Sequence, residues 1–235
     1  MTTIIRILPI LYTVIAAIEI ASEITGEQSW RIRSKPWLVA IVLIYFLVKT
    51  RSSMGQKATV PIVCALVLSW VGDLLLLWKD EYSWTFLSGL GAFFLAHVFY
   101  IIAYRVGSEG HFQLSFYAFV PIIGYGIVLY SVLAPSLGEM LFPVAAYSVV
   151  LLSMLIAALE RGRRTSSQSF QWVVFGAVCF VFSDSILAWH SFVQPSVIAR
   201  VSLMVLYIAA QFSIAHGMAR HITEAHDSSV ENLRS

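Results

Sequence analysis

The sequence ALVLSWVGDLLLL at residues 65–77 sets an aspartate in the middle of an apolar run, and VCFVFSDSIL at residues 178–187 does the same. Both runs belong to stretches long enough to cross a membrane as helices. A carboxylate in hydrocarbon costs several kcal/mol unless it is protonated, paired or hydrated. Asp73 and Asp184 are therefore the first candidates for a functional site.

The composition places the whole chain in the membrane class. Of its 235 residues, 59% are hydrophobic and only 12% are charged, which lies outside the range of soluble domains. The net charge is +2 and the basic residues are scattered among short connections, so no nucleic-acid surface is expected. Cys64 and Cys179 lie in apolar runs, where a thiol behaves as a small hydrophobe. The sequence predicts an integral multi-pass membrane protein, located in the inner membrane if the chain is bacterial.

Apolar runs of about 20 residues, the length that crosses a bilayer core, predict eight spans. Their approximate positions are 4–22, 36–50, 59–78, 85–104, 114–133, 139–159, 170–190 and 195–217. The fifth and sixth are separated only by a tight proline-containing turn at residues 134–138. Because the runs are continuous rather than alternating, they favour an all-α polytopic bundle over a barrel.

The basic residues predict how the bundle is oriented. With eight spans both termini share one side, and that side collects Arg6, Lys49, Arg51, Lys57, Arg105, Arg161, Arg163, Arg164, Arg220 and Arg234. The other side holds Arg31, Arg33, Lys35, Lys79 and Arg200. The positive-inside rule then places both termini in the cytoplasm. We expect one transmembrane domain over residues 1–220 and a polar C-terminal tail over residues 221–235.

With that orientation, four ionisable side chains share the outer half of the membrane. Spans one, three and seven run outward and bring Glu19, Asp73 and Asp184 there, while Lys35 begins span two. Glu19 is near the boundary and could also reach water by snorkelling. Lys35 is either a helix-end anchor or a cation that meets a phosphate group.

Further polar side chains lie deeper. His97 near the middle of span four is either a hydrogen-bonded core histidine or a functional group. Tyr100, Tyr147 and Tyr207 are packing residues or site residues, and Gln211 shares the span of Tyr207. No metal is expected, because the other histidines form no recognisable ligand set; of the three or four ligands that a zinc hydrolase uses, only His97 and the two aspartates could converge. Ser183, like Gly72, precedes an aspartate and suits close approach of helices.

A resemblance joins these residues. The segment of residues 69–76, then Phe86, Gly89, Phe93, His97 and Tyr100, then residues 176–184, resembles the YhhN family of membrane proteins, which includes the mammalian transmembrane protein 86 lysoplasmalogenases. Lys35 with Pro36, Tyr147, Tyr207 and Gln211 fit the same pattern. The resemblance covers essentially the whole chain. It implies hydrolysis of the vinyl-ether bond of a lysoplasmalogen, which releases a fatty aldehyde and glycerophosphoethanolamine or glycerophosphocholine.

The residues suit that chemistry. Protonation of the β-carbon of a vinyl ether creates an oxocarbenium ion, which water attacks to give a hemiacetal that collapses to aldehyde and alcohol. This reaction needs an acid and a nearby negative charge. Two neighbouring carboxyls can supply both, since one holds a proton while the other, ionised, stabilises the cation. We expect Asp73 and Asp184 to be this pair, with the acid and base roles unassigned and no cofactor. The alternatives are a metal-dependent intramembrane lipid hydrolase and a proton-coupled lipid or solute transporter.

Overall fold

Eight α-helices make up the part of the chain that the computed structural model describes, which is residues 2–79, 81–106, 116–163 and 165–232. They are α1 (Thr2–Thr25), α2 (Gln28–Lys49), α3 (Thr59–Leu76), α4 (Ser83–Arg105), α5 (Phe116–Leu137), α6 (Leu141–Glu160), α7 (Ser167–Phe192) and α8 (Val197–Asn232). Short 3-10 turns follow α2, α5 and α6 at Arg51–Ser53, Gly138–Met140 and Arg161–Arg163. These described residues form no strand, which confirms the all-α prediction.

Six segments of the described chain are long and apolar enough to cross a membrane, in keeping with a multi-pass protein. One of them, Phe119–Glu160, contains both α5 and α6, and α2 is not among the six. The first turns of α2 carry Arg31, Arg33 and Lys35, which lower its hydrophobicity. The count of eight spans and the side of the termini stay predictions.

Helix ends differ from the predicted span ends in three places. Helix α2 begins at Gln28 and includes Pro36, and α8 continues through the polar C-terminal segment to Asn232. An apolar run measures the part of a helix that suits hydrocarbon, so it ends where polar residues begin even when the helix continues. The turn predicted at residues 134–138 is wrong in position, because α5 includes Pro135 and the chain turns at Gly138–Met140. Gly138 adopts a φ of +51°, which glycine reaches without a Cβ clash.

Glycines allow close helix contacts between α3 and α4 and between α7 and α8. A Cβ on Gly72 would lie 2.6 Å from the Phe93 ring, and one on Gly176 would lie 2.9 Å from the Ala210 carbonyl oxygen. Small residues at such seams let backbones approach, which is how helices pack without help from the hydrophobic effect in lipid. The two seams carry the two candidate aspartates, Asp73 on α3 and Asp184 on α7.

Candidate active site

Asp73 lies in a hydrogen-bonded network that joins three helices. Its carboxyl is 2% exposed and accepts a 2.7 Å hydrogen bond from the Tyr207 hydroxyl on α8. The Gln211 amide nitrogen donates to the same hydroxyl oxygen at 3.1 Å, and the Tyr100 hydroxyl on α4 donates to the Gln211 amide oxygen at 3.0 Å. Four residues singled out from the sequence therefore form one connected group.

Asp184 has a separate tyrosine partner. The Tyr147 hydroxyl on α6 donates to Asp184 Oδ2. Asp184 is half-buried and lines a small cavity of about 50 Å³ between α4, α5, α6 and α7. Apart from Asp184 and a few hydroxyls, the walls are apolar, with Leu90, Leu133 and Leu151 among them. The carboxyl thus faces a small and mainly apolar space.

His97 and Phe180 lie between the two aspartate–tyrosine pairs. The His97 ring is 4.6 Å from the Phe180 ring and 5.5 Å from the Tyr147 ring, measured between centroids. Phe180 in turn is 5.6 Å from Tyr207, edge to face. His97 and Phe180 are both fully buried. One aromatic cluster therefore connects the tyrosine that binds Asp73 with the tyrosine that binds Asp184.

The tautomer of His97 follows from its backbone partner. Its Nδ1 lies 2.6 Å from the Phe93 carbonyl oxygen. A carbonyl oxygen only accepts, so Nδ1 carries the proton and Nε2 of the neutral ring keeps its lone pair. Within the described chain, Nε2 is buried and has no hydrogen-bond donor. His97 is therefore able to accept a hydrogen bond from water or a substrate hydroxyl.

Glu19 and Lys35 lie beside the Asp73 network. Glu19 is fully buried rather than exposed to water, and it accepts a 2.5 Å hydrogen bond from the Ser34 hydroxyl. Lys35 is 7% exposed, and its ammonium interacts electrostatically with both Glu19 and Asp73. The cation and the two acids form a buried charged group at one end of the bundle.

That end of the bundle holds a cavity with a volume of about 360 Å³. It lies between the end of α1, the start of α2, the end of α3, the start of α4, the end of α7 and the start of α8. Arg31, Lys35 and Arg200 line it together with Glu23 and apolar side chains. Phe86 is shared with the small cavity beside Asp184, as are Leu187 and Phe192.

Sequence reasoning missed Glu23, Arg31 and Arg200 as site residues. Glu23 is 2% exposed and pairs with both arginines, with its Oε1 3.0 Å from Arg31 Nε and its Oε2 3.4 Å from Arg200 Nε. A signal for the arginines is present in the sequence, since Arg31 and Arg200 share the predicted side of Lys35, but the charge count uses them only to predict topology. Nothing in the sequence analysis singles out Glu23.

Ser183 has a structural bond in the same region. Its hydroxyl donates to the Leu203 carbonyl oxygen on α8 at 2.9 Å. The bond holds α7 against α8 one residue before Asp184. Ser183 thus positions the aspartate, and its hydroxyl is already used.

The candidate metal ligands bind different partners. Asp73 binds Tyr207, Asp184 binds Tyr147, and His97 Nδ1 binds a backbone carbonyl. In the described ranges no three His, Cys, Asp or Glu side chains form a group that could hold a metal ion. What the arrangement offers is one buried and one half-buried carboxyl, each with a hydroxyl donor, and one neutral imidazole.

Comparison with known proteins gives a consistent assignment. Residues 30–218 match the YhhN family. The chain is 33% identical over 191 residues to the lysoplasmalogenase TMEM86B of Sus scrofa, a match that covers 80% of this chain and 76% of that protein. It is 30% identical over 202 residues to the lysoplasmalogenase of Mycobacterium bovis, with 83% of this chain and 73% of that protein covered. No solved structure matches the chain. The length of the match and the identity to these relatives show that the chain belongs to the YhhN family.

Proposed function

We propose that this protein is a lysoplasmalogenase, which hydrolyses the vinyl-ether bond of a 1-alkenyl lysophospholipid. Relatives that match most of the chain are named lysoplasmalogenase. The observation that carries the proposal is the pair of aspartate–tyrosine units on either side of His97 and Phe180, one of them open to an apolar cavity. An acid beside an apolar cavity is what protonation of a carbon on a lipid chain requires.

The reaction adds one water to the substrate. A carboxyl donates its proton to the β-carbon of the vinyl ether, and the α-carbon becomes an oxocarbenium ion. Water attacks that carbon as the second carboxylate takes up its proton, giving a hemiacetal. The second carboxyl then passes this proton to the glycerol oxygen while the first carboxylate takes the proton of the hemiacetal hydroxyl. The bond to the glycerol oxygen breaks, the alcohol leaves, the fatty aldehyde forms, and both carboxyls regain their starting states. A nearby carboxylate stabilises the cation in the way that it does in glycoside hydrolysis.

The surroundings of the two aspartates suggest how they divide this work. Asp184 lines the apolar cavity, so we assign to it the proton transfer to the chain carbon. Asp73 is the more deeply buried and is close to the charge of Lys35, so we assign to it the stabilisation of the cation. To His97 Nε2, which is buried and has no hydrogen-bond partner in the described chain, we assign the acceptance of a hydrogen bond from the attacking water.

The two cavities suggest how the lipid lies. Phe86, Leu187 and Phe192 line both, so the polar cavity at the end of the bundle and the apolar one adjoin, with these side chains between them. A lysolipid with its polar group in the larger cavity and its first chain carbons in the smaller one would pass its glycerol near Asp184. The supporting roles of Tyr100, Tyr147, Tyr207, Gln211, Ser183 and Glu19 are then to hold the two carboxyls in place.

The test is aldehyde release by the purified protein from a 1-alkenyl lysophospholipid, with the 1-acyl analogue as the comparison substrate. We expect turnover of the alkenyl lipid only. Asp184→Asn and Asp73→Asn keep the side-chain shape and remove the acid, so each should lower turnover at least about 100-fold. Asp227→Asn, at an exposed position on α8, is the matched control and should be fully active.

Two other outcomes would contradict parts of this proposal. Full activity in either active-site variant would contradict the carboxyl pair. Flux of lipid or solute into liposomes without turnover would show a transporter instead.

We further propose that all eight helices cross the membrane, with both termini in the cytoplasm, and that residues 221–235 form a polar tail beyond one transmembrane domain. The charge balance supports this topology. Single cysteines placed at Lys57 and at Lys79 should react with membrane-impermeant reagents from opposite sides of sealed vesicles. Labelling of both from the same side would contradict the topology.

A further inference from the structure

We infer that the cavity of about 360 Å³ at the end of the bundle binds a phosphate ester, and that it recognises the phosphate of the lysolipid through Arg31, Lys35 and Arg200. The inference rests on the proposed function for the identity of the lipid. Beyond that function, it names the phosphate as the part of the substrate that the protein recognises, and it names the residues that bind it.

The charge of the cavity favours an anion. Arg31, Lys35 and Arg200 line it together with one acid, Glu23, while Glu19 and Asp73 interact with Lys35 from outside the lining. Lys35 is 7% exposed and Glu23 2%, so much of this charge is withdrawn from water. Basic pockets between transmembrane helices near the interface are a recurring way to bind lipid phosphates.

Glu23 arranges the two arginines without neutralising them. It approaches the Nε atom of each, at 3.0 Å for Arg31 and 3.4 Å for Arg200. Arg200 Nη2 also donates to the Glu23 backbone carbonyl at 3.1 Å. A guanidinium has five N–H donors, and one carboxylate balances only one of two positive charges. The pair therefore keeps positive charge and donors, and a phosphate accepts such donors in paired, planar geometry.

The position of the cavity fits a phosphate attached to glycerol. Leu76 and Leu187 lie on its lining and follow Asp73 and Asp184 by three residues each. Three residues correspond to about 4.5 Å along a helix axis. A short glycerol backbone can bridge that depth, so a phosphate in the cavity would leave the ether carbons at the level of the carboxyls.

Two saturated lipids test the inference by binding alone. The first probe is 1-O-alkyl-glycero-3-phosphoethanolamine, which has no vinyl ether to cleave, and the second is the matching 1-O-alkylglycerol, which lacks the phosphate. We expect the purified protein to bind the first at least about 10-fold more tightly. Equal affinity for the two probes would overturn the inference.

Variants assign the residues. Arg31→Gln and Lys35→Gln should each lower the affinity for the phosphate-bearing probe about 10- to 100-fold and leave the affinity for the alkylglycerol unchanged. Arg33→Gln is the matched control, because Arg33 lies two residues further along α2 and is exposed outside the cavity. Unchanged binding of the phosphate-bearing probe in both the Arg31→Gln and the Lys35→Gln variants would overturn the assignment of these residues to the phosphate site. If one variant fails to fold, the other and the comparison of probes in the unaltered protein still decide.

A third arm separates sources of phosphate. Inorganic phosphate should compete only weakly with the lipid probe, because it gains nothing from the apolar cavity. If inorganic phosphate alone binds as tightly as the lipid, the site is one for the free ion and the lipid assignment is overturned. Lipid binding without aldehyde release from the alkenyl substrate would refute the proposed function and leave the phosphate site standing.

Discussion

Alanine in place of Gly176 is expected to push α7 away from α8. A Cβ there would meet the Ala210 carbonyl oxygen and the Ile214 backbone nitrogen at 2.9 Å each, and Ile214 Cγ1 at 2.7 Å. Tight but real contacts begin near 3.4 Å, so the α8 backbone must retreat by about 0.5 Å. Rotation of a side chain cannot relieve the clash, because two of the three atoms are backbone.

The expected effect on stability is a difference of two terms. Overpacking of this kind costs about 1–3 kcal/mol. Alanine gains about 1 kcal/mol over glycine inside a helix. The free energy of unfolding should therefore fall by up to about 2 kcal/mol.

Activity should fall as well as stability. Asp184 is on α7 two turns beyond Gly176, and Tyr207, which binds Asp73, is on α8 one turn before Ala210. A shift of half an ångström at this seam changes the spacing of the two carboxyls. Since a misplacement of about 1 Å can cost 100-fold in rate, we expect turnover to fall roughly 10-fold.

The assays are thermal unfolding in detergent and aldehyde release at saturating alkenyl lysolipid. Gly124→Ala is the matched control, because a Cβ there meets no atom within 4 Å. It should match or slightly exceed the stability of the unaltered protein and keep full turnover. Equal thermal midpoints and equal turnover in the two variants would refute the role given to the α7–α8 seam.

Three further predictions address the site. Tyr147→Phe and Tyr207→Phe each remove a hydroxyl that donates to an aspartate, so turnover should fall about 10- to 100-fold. Tyr130→Phe, which removes only a hydrogen bond to a backbone carbonyl, is the control and should keep full turnover. Equal turnover in all three variants would contradict the tyrosine roles. Ala188→Phe should fill the cavity beside Asp184 and lower the ratio of long-chain to short-chain turnover, and an unchanged ratio would show that the chain lies elsewhere. Dialysis against EDTA should leave turnover unchanged, because the candidate ligands bind separate partners, and a loss restored by added metal would favour the metal-dependent hydrolase.

The class of the fold and the two aspartates could be predicted from the sequence, because both follow from local physics. Long apolar runs specify helices in a bilayer. The energetic cost of a carboxylate in such a run identifies Asp73 and Asp184 without any knowledge of packing. The resemblance added His97, Tyr147 and Tyr207, which contact one another in the same aromatic cluster or bind the aspartates.

The pairing of these residues could not be predicted, because it depends on which helices touch. Tyr207 is 134 positions from Asp73 along the chain, and Tyr147 is 37 from Asp184. The apolar surface of each helix is nearly continuous, so periodicity does not indicate which face meets which neighbour. The Glu23–Arg200 contact spans 177 positions and was missed for the same reason.

The α7–α8 seam connects the two carboxyls. Asp184 is carried by α7, while α8 carries Tyr207, whose hydroxyl holds Asp73 on α3. Ser183 bonds the seam near Asp184 through the Leu203 carbonyl, and Gly176 lets the backbones meet two turns earlier on α7. The spacing of the carboxyls is therefore set by helix packing rather than by a direct bond between them. A tyrosine hydroxyl lowers the cost of burying each carboxyl, and because the hydroxyl is neutral, each carboxyl can still exchange a proton with the substrate.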